Sequence, residues 1–232
     1  MGTRPAVIAL VAIGAAAIAG APACAPADAA DTKPSGDSKP APLPPPPKRS
    51  GAYLKGQLHA HSSGSLDSDT PPEQVVRWYS ERGYDFLVLT DHNRITRAEG
   101  TPSMLVLPGI ELTLNLRTCD PPPASAFQHC LLHMNGLLPE RPLERAPWRP
   151  APRSMRRSDL YGAEIAEGQR LGALLQLDHP NFHFAADASL LVELAGAGVG
   201  FVEIANEAHD SMNQGDATHP STEALWDAAL TR

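Results

Sequence analysis

Short apolar runs in this chain end, one after another, in histidine or carboxylate. Leu58-His59-Ala60-His61 closes the first run, and Leu89-Thr90-Asp91-His92-Asn93 closes the second. Glu111 follows Pro108-Gly109-Ile110, and His133 follows Leu131-Leu132. Asp178-His179 and then Glu203 and Asn206 complete the series. On an extended strand, side chains repeat direction every second residue. His59 and His61 therefore point the same way and can grip one cation. Phe86-Leu87-Val88-Leu89 reads as a strand buried on both faces. Core packing supplies no reason for a titratable pair at its end.

Strands are expected over residues 53–59, 84–90, 104–112, 128–134, 173–177 and 200–204. Helices are expected over 71–82, 158–171, 189–195 and 221–230. Thr70 and Glu73 fit a capping box, Pro71 suits a first helical position, and Gly83 suits an end. Ser158 reads as an N-cap, although Gly162 and Gly168 weaken the helix after it. This alternation implies an α/β fold with a mainly parallel sheet, open or closed into a barrel. Barrels carry their chemistry at the C-terminal ends of strands. The residues named above keep falling at that edge, with His133 placed late in its strand.

The chain has 232 residues and 42% hydrophobic composition, enough for one sizeable domain, assigned to 51–232. A net charge of -7 argues against general nucleic-acid binding. It leaves room for a small anionic substrate, because a metal centre supplies local positive charge. Residues 1–30 read as a secretory signal peptide: Arg4, an apolar stretch over 6–19, then Ala21-Pro22-Ala23 and Ala25-Pro26-Ala27 as cleavage-site forms. The expected setting is periplasmic, extracellular or outer-envelope anchored. Cys24 raises the alternative of a lipoprotein signal and a membrane tether. Residues 31–50 form a Pro-rich linker, read either as an extended tether or as a leader with no role. Cys119 and Cys130 read as a disulfide in an exported protein, or as two free thiols with Cys130 buried.

Taken together, these strings resemble the PHP family, the polymerase and histidinol phosphatase metallohydrolases. Leu58-His59-Ala60-His61-Ser62, Leu89-Thr90-Asp91-His92-Asn93 and Pro108-Gly109-Ile110-Glu111-Leu112 carry the likeness. His133-Met134-Asn135-Gly136, Asp178-His179-Pro180 and Val202-Glu203-Ile204 continue it in family order. The resemblance implies a distorted seven-stranded β/α barrel binding two or three divalent ions. It implies that His59 and His61 hold one metal, and that Glu111 bridges two. His133 and His179 would hold the second, and Asp67 and His92 would help hold a third, with Asp69 the rival of Asp67. The family also has an Asp-x-His near its last strand, and no such string follows Glu203. The expectation is therefore a barrel incomplete at the C-terminus, short of a ligand for each of two metals, with one sheet edge unpaired.

Imidazole and carboxylate donors suit Mn, Fe or Zn, and no thiolate cluster points to a structural zinc. Ions in such a site can hold a hydroxide nucleophile and polarise a phosphoryl or carbonyl oxygen. The leading expectation is an exported phosphoesterase acting on a phosphate ester. Its rivals are an amide, carbamate or carboxylic-ester hydrolase on the same site, and a non-catalytic metal-binding envelope protein. Asp91 is expected to orient a ligand, and Glu203 and Asn206 to line the substrate pocket. His129, His183, His209 and His219 are expected to lie outside the site. Arg141, Arg145, Arg149, Arg153, Arg156 and Arg157 read either as an anion-gripping lid or, preferably, as a solvated loop.

Overall fold

The computed structural model describes residues 9–11, 53–123, 125, 127–208 and 210–232. Its strands are β1 (Ala9–Val11), β2 (Gly56–Gln57), β3 (Phe86–Leu89), β4 (Leu105–Leu116), β5 (Cys130–Leu137), β6 (Leu174–Leu177) and β7 (Phe201–Glu203). Its α-helices are α1 (Pro72–Glu81), α2 (Arg157–Leu171), α3 (Ala188–Gly196) and α4 (Thr222–Leu230). Residues 1–8 and 12–52, which include Cys24 and the Pro-rich segment, lie outside the described residues. No helix among the described residues is long and apolar enough to cross a membrane.

One mixed sheet runs in the order β1-β7-β6-β5-β4-β3-β2. From β2 to β7, neighbours in space are neighbours in sequence. A flat sheet would set β2 and β7 about 24 Å apart, five spacings of about 4.8 Å. Yet His59, just past β2, brings its Nδ1 within 3.2 Å of both carboxylate oxygens of Glu203 at the end of β7. The sheet is therefore curled into a half-barrel, with its ends joined by side chains.

The sheet is mainly parallel, as expected, in four of its six strand pairings, but β5 runs antiparallel to both β4 and β6. No helix separates β4 from β5, so the chain returns directly instead of crossing over. The edge expected to stay unpaired at β7 carries β1, in parallel register from Ala9↔Phe201 to Val11↔Glu203. β1 belongs to the stretch read as a signal peptide, so cleavage there would leave the β7 edge open.

The core explains most of the element boundaries. On β4, Ile110, Leu112 and Leu114 are buried on one face, while Glu111, Thr113 and Asn115 alternate on the other. Each fully buried leucine or isoleucine contributes roughly 1.5–3 kcal/mol. Leu114 joins Leu132, Met134, Leu175 and Leu177 of the sheet in a cluster with Leu160, Tyr161 and Ile165 of α2. Gly168 lets α2 lie close to β6, because a Cβ there would collide with the Leu175 side chain. The residue that weakens the helix on propensity is thus required by packing. Val75, Val76 and Tyr79 of α1 pack with Leu87, Leu89 and Met104 in a second cluster.

Helix starts match the sequence less well. Pro71 is the N-cap of α1 and Pro72 its first residue, with no side-chain cap, so the Thr70/Glu73 capping box does not form. Arg156, not Ser158, caps α2, again through no side chain. Ser221 does cap α4, accepting from the Ala224 N–H. Cys119 and Cys130 are joined in a disulfide with their Cα atoms 6.0 Å apart. The bridge closes the loop between β4 and β5, beside the last register pair, Leu116↔Cys130.

Candidate metal centre

Glu111 lies on β4, a strand near the centre of the sheet. The first half of β4 pairs with β3 and the second half with β5, so Glu111 stands in the middle of the sheet. The pairing of β3 with β4 continues past Leu89 as a bridge between His92 and Glu111. Asn93 extends it further: its N–H donates to the Glu111 carbonyl, and its side-chain amide pairs with both backbone groups of Thr113. Asn93 has φ 55°, a left-handed conformation that asparagine tolerates. His133 follows a different logic from the one expected. Because β5 runs backwards, its early residues share an end of the sheet with the late residues of its neighbours. His133 therefore reaches the site from the beginning of its strand.

The two oxygens of Glu111 divide the imidazoles between them. Oε1 lies 2.8 Å from His133 Nδ1 and 3.6 Å from His179 Nε2. Oε2 lies 2.9 Å from His92 Nδ1, 3.2 Å from His61 Nε2 and 3.5 Å from His59 Nε2. Even so, neither Glu111 oxygen nor His133 Nδ1 has a hydrogen-bond partner of acceptable geometry among the described residues. These atoms converge on common points rather than pairing as donor and acceptor. Buried polar atoms left in that state cost about 1–3 kcal/mol each, a cost that a shared cation removes.

Four overlapping groups can hold a metal ion: His59, His61 and Glu111; Glu111, His133 and His179; His61, Asp67 and His92; and His59, His179 and Glu203. Within each, the ligating atoms lie within 4.8 Å of one another. The structure thus brings together His59, His61, Asp67, His92, Glu111, His133 and His179. Asp67 is the aspartate that meets imidazoles, its Oδ2 standing 3.3 Å from His92 Nε2 and 3.6 Å from His61 Nδ1. Asp69 lines the neighbouring cavity and belongs to none of these groups. The donor set, imidazole with carboxylate, fits a divalent transition metal.

Polar side chains around the cluster each hold one ring nitrogen, and in His92 it is the same Nδ1 that faces Glu111. Asn115 Oδ1 accepts from His133 Nε2 at 2.7 Å, which turns Nδ1 toward Glu111. Thr113 Oγ1, 2.7 Å from His92 Nδ1, donates its own proton to the Glu111 carbonyl and so accepts from the imidazole. Glu203 accepts from His59 Nδ1, from the His179 N–H and from Asn206 Nδ2. Such partners fix tautomer and ring orientation. Asp91 acts one step further back. It accepts from the Ser62 N–H and hydroxyl and from Ser65 Oγ, and Ser65 in turn meets His61 Nδ1 and the His92 N–H. Gly64 makes this loop possible, because a Cβ there would strike the Asp91 carboxylate and Thr96.

Glu203 lies fully buried behind His59, away from the cavity wall, whereas Asn206 does line the cavity. Thr113, Asn115 and Ser65 were not anticipated, and Asp178 was expected at its strand end without an assigned role. The first two had a readable signal, since the polar alternation of Glu111 continues through Thr113 and Asn115. Asp178 sits inside the curl, accepting from Gln176 Nε2 at 2.9 Å and standing 3.8 Å from His59 Nδ1. His179, the neighbouring candidate ligand, has φ 21°, a strained backbone of the kind that collects at sites.

Charge is balanced within the cluster. Burial alone would raise the Glu111 carboxyl, but the imidazoles of His92, His133 and His59 hold it well below the usual carboxylate range. Burial would lower His92, yet Glu111 and Asp67 push it up to about 10. His59 is likewise raised, against its burial, by Glu203, Asp178 and Glu111. His133 is different: burial pulls it down to about 4 despite Glu111.

A cavity of about 780 Å³ opens beside the cluster. None of the arginines between Arg141 and Arg157 lines it. Arg141 donates to the Arg170 carbonyl, and Arg157 to the carbonyls of Phe184 and Ala185. His129, His183 and His219 stand outside the four groups, with His219 stacked on Phe184 at 3.7 Å, and His209 lies outside the described residues. No family model matches the chain, and no curated protein matches it.

Proposed function

We propose that this chain is an exported metal-dependent hydrolase of the PHP type, acting on a phosphate ester. The observation that carries the reading is the convergence of five imidazoles on the two oxygens of one buried glutamate. Curled sheet, sequential strand order and ligands at one end of the curl support a distorted β/α barrel as the parent fold. The Cys119–Cys130 bridge supports an oxidising, extracytoplasmic setting.

In this reading Glu111 would be shared between two ions, one that His59 and His61 would hold and one that His133 and His179 would hold. Asp67 and His92 hold a third. Divalent ions so placed supply Lewis acidity and a nucleophile at neutral pH without a serine or cysteine. The protein supplies position. Asn115, Thr113, Glu203 and the Asp91–Ser65 pair keep each imidazole aimed inward before any ligand arrives. The reaction adds water across the ester: a P–O bond forms to the water oxygen, the bond to the leaving oxygen breaks, and the leaving oxygen takes up a proton.

The test is elemental analysis combined with turnover. Protein purified with Mn or Zn should hold metal and hydrolyse aryl phosphates, lose activity to a chelator and regain it with metal. His59→Ala combined with His61→Ala should strip bound metal. Unchanged metal content in that variant overturns the site, and metal-loaded protein inert toward phosphate esters but active on aryl carboxylic esters moves the reaction to carbonyl chemistry.

A further inference from the structure

The cluster itself walls one part of the cavity, and the rest of the lining differs from it in chemistry. On one side α1 contributes Val75, Trp78 and Tyr79, and Phe182 and Ala208 also line the space. Its polar rim carries Asp69 and Glu207, both exposed. Among the described residues, no lysine or arginine lines it. None of the six arginines of the arginine-rich stretch lines it, and two of them, Arg141 and Arg157, donate to backbone carbonyls elsewhere. At about 780 Å³ the cavity falls within the range of roughly 300–1,000 Å³ typical of small-molecule sites. It is far larger than a bare phosphate requires.

We propose that the part of the substrate lying away from the metal centre is apolar and uncharged or cationic, and that a second anionic group is excluded. The proposal rests on the hydrolase reading and adds what the rest of the cavity accepts. The scissile group carries its negative charge against the metals, where charge is compensated. Beyond it lie indole, phenol, phenyl and methyl surface, the uncharged polar side chains of Ser68, Thr70, Gln74, Asn206 and Ser211, and two carboxylates. A second phosphate or carboxylate there would face Asp69 and Glu207 with no lysine or arginine in the lining to offset them, a repulsive arrangement that specifies against it. An ammonium group would meet carboxylates and aromatic faces, the usual setting for such cations. The indole of Trp78 already carries one cation on its ring: the Arg82 guanidinium lies 3.7 Å from its centroid.

The experiment uses the full chain loaded with Mn and three phenylphosphonates, read by calorimetry. They share a phosphonate that is not hydrolysed and differ at the para position: trimethylammoniomethyl, methyl or carboxylate. The first two should bind at least about tenfold more tightly than the third. Equal affinities, a preference for the carboxylate, or no binding of any of the three overturns the proposal. Glu207→Lys together with Asp69→Lys should strengthen the carboxylate compound, weaken the ammonium compound and leave the methyl compound unchanged. An unaltered order in that variant also overturns it. Binding is read without turnover, so the two readings fail separately. The expected order with no ester hydrolysis sinks the hydrolase and spares the cavity; hydrolysis without the order does the reverse.

Discussion

Glu111 on β4 and Glu164 on α2 are each 0% exposed, and the fold sets their carboxyls in opposite states. Glu111 is held ionised by imidazoles on both of its oxygens. Glu164 shares the buried face of α2 with Leu160, Tyr161 and Ile165, and neither of its oxygens has a hydrogen-bond partner among the described residues. Burial pushes its carboxyl well above the usual range, and the charges of Asp178 and Glu111 push the same way. Burial by itself therefore says little about whether a carboxylate is a site. What decides is whether groups of complementary charge converge on it. Where they do, desolvation strengthens the assembly; where they do not, the group stays neutral and costs stability.

Four measurements would break or sharpen that contrast. The largest effect is expected from Glu111→Gln, which removes the shared charge. Metal-dependent ester turnover should fall by at least about a thousandfold, and bound metal should fall with it. Retained metal in that variant, by elemental analysis, would mean that Glu111 is no more of a ligand than Glu164. Asn115→Leu should act more mildly, because it frees only the far side of His133. Metal affinity should weaken by about 10–100-fold in a chelator competition, with the fold unchanged by circular dichroism.

Glu164→Gln should move in the other direction. The variant should gain about 1–3 kcal/mol at pH 7 in denaturant unfolding, because the folded state no longer has to hold a proton on a buried carboxyl. Destabilisation instead would place Glu164 beside Glu111 as a charged group with an unrecognised partner. The smallest effect is the pH dependence of that gain. A raised folded-state pKa means that Glu164 is least harmful below the ordinary glutamate value of 4.5 and increasingly harmful as pH rises toward its folded value. The difference between Glu164→Gln and the parent should therefore shrink toward zero as pH falls to 4.5. A difference that stays constant with pH would show that Glu164 does not titrate differently on folding.

The comparison also marks what could be read from the chain. His59, His61, His92, Glu111 and His179 were legible because each ends or interrupts an apolar run, and a sheet gathers strand ends at one edge. His133 was legible for a reason that does not hold. It reaches the same edge only because β5 is reversed, and the sign of that was the missing helix between Leu116 and Cys130. Thr113 and Asn115 were overlooked because the strand was ended at residue 112, although period-two alternation runs on to Leu116. Glu164 carried no signal at all. A glutamate on a weakly amphipathic helix reads as a surface residue until the packing of α2 is known. The helix starts failed for a local reason, since the backbone at Pro71 and Arg156 adopts a cap conformation with no side-chain acceptor.

The contact between His59 and Glu203 has a mechanical side. It fastens the end of β2 to the end of β7, so the half-barrel is clasped shut by the residues that would also grip metal. The seam of the architecture and the seat of the chemistry are then one object. A cation held by His59 would tighten the clasp, lending its binding free energy to the closed form. Withdrawing it would slacken the two flanks of the sheet together, and the shape of the molecule would report on its cargo.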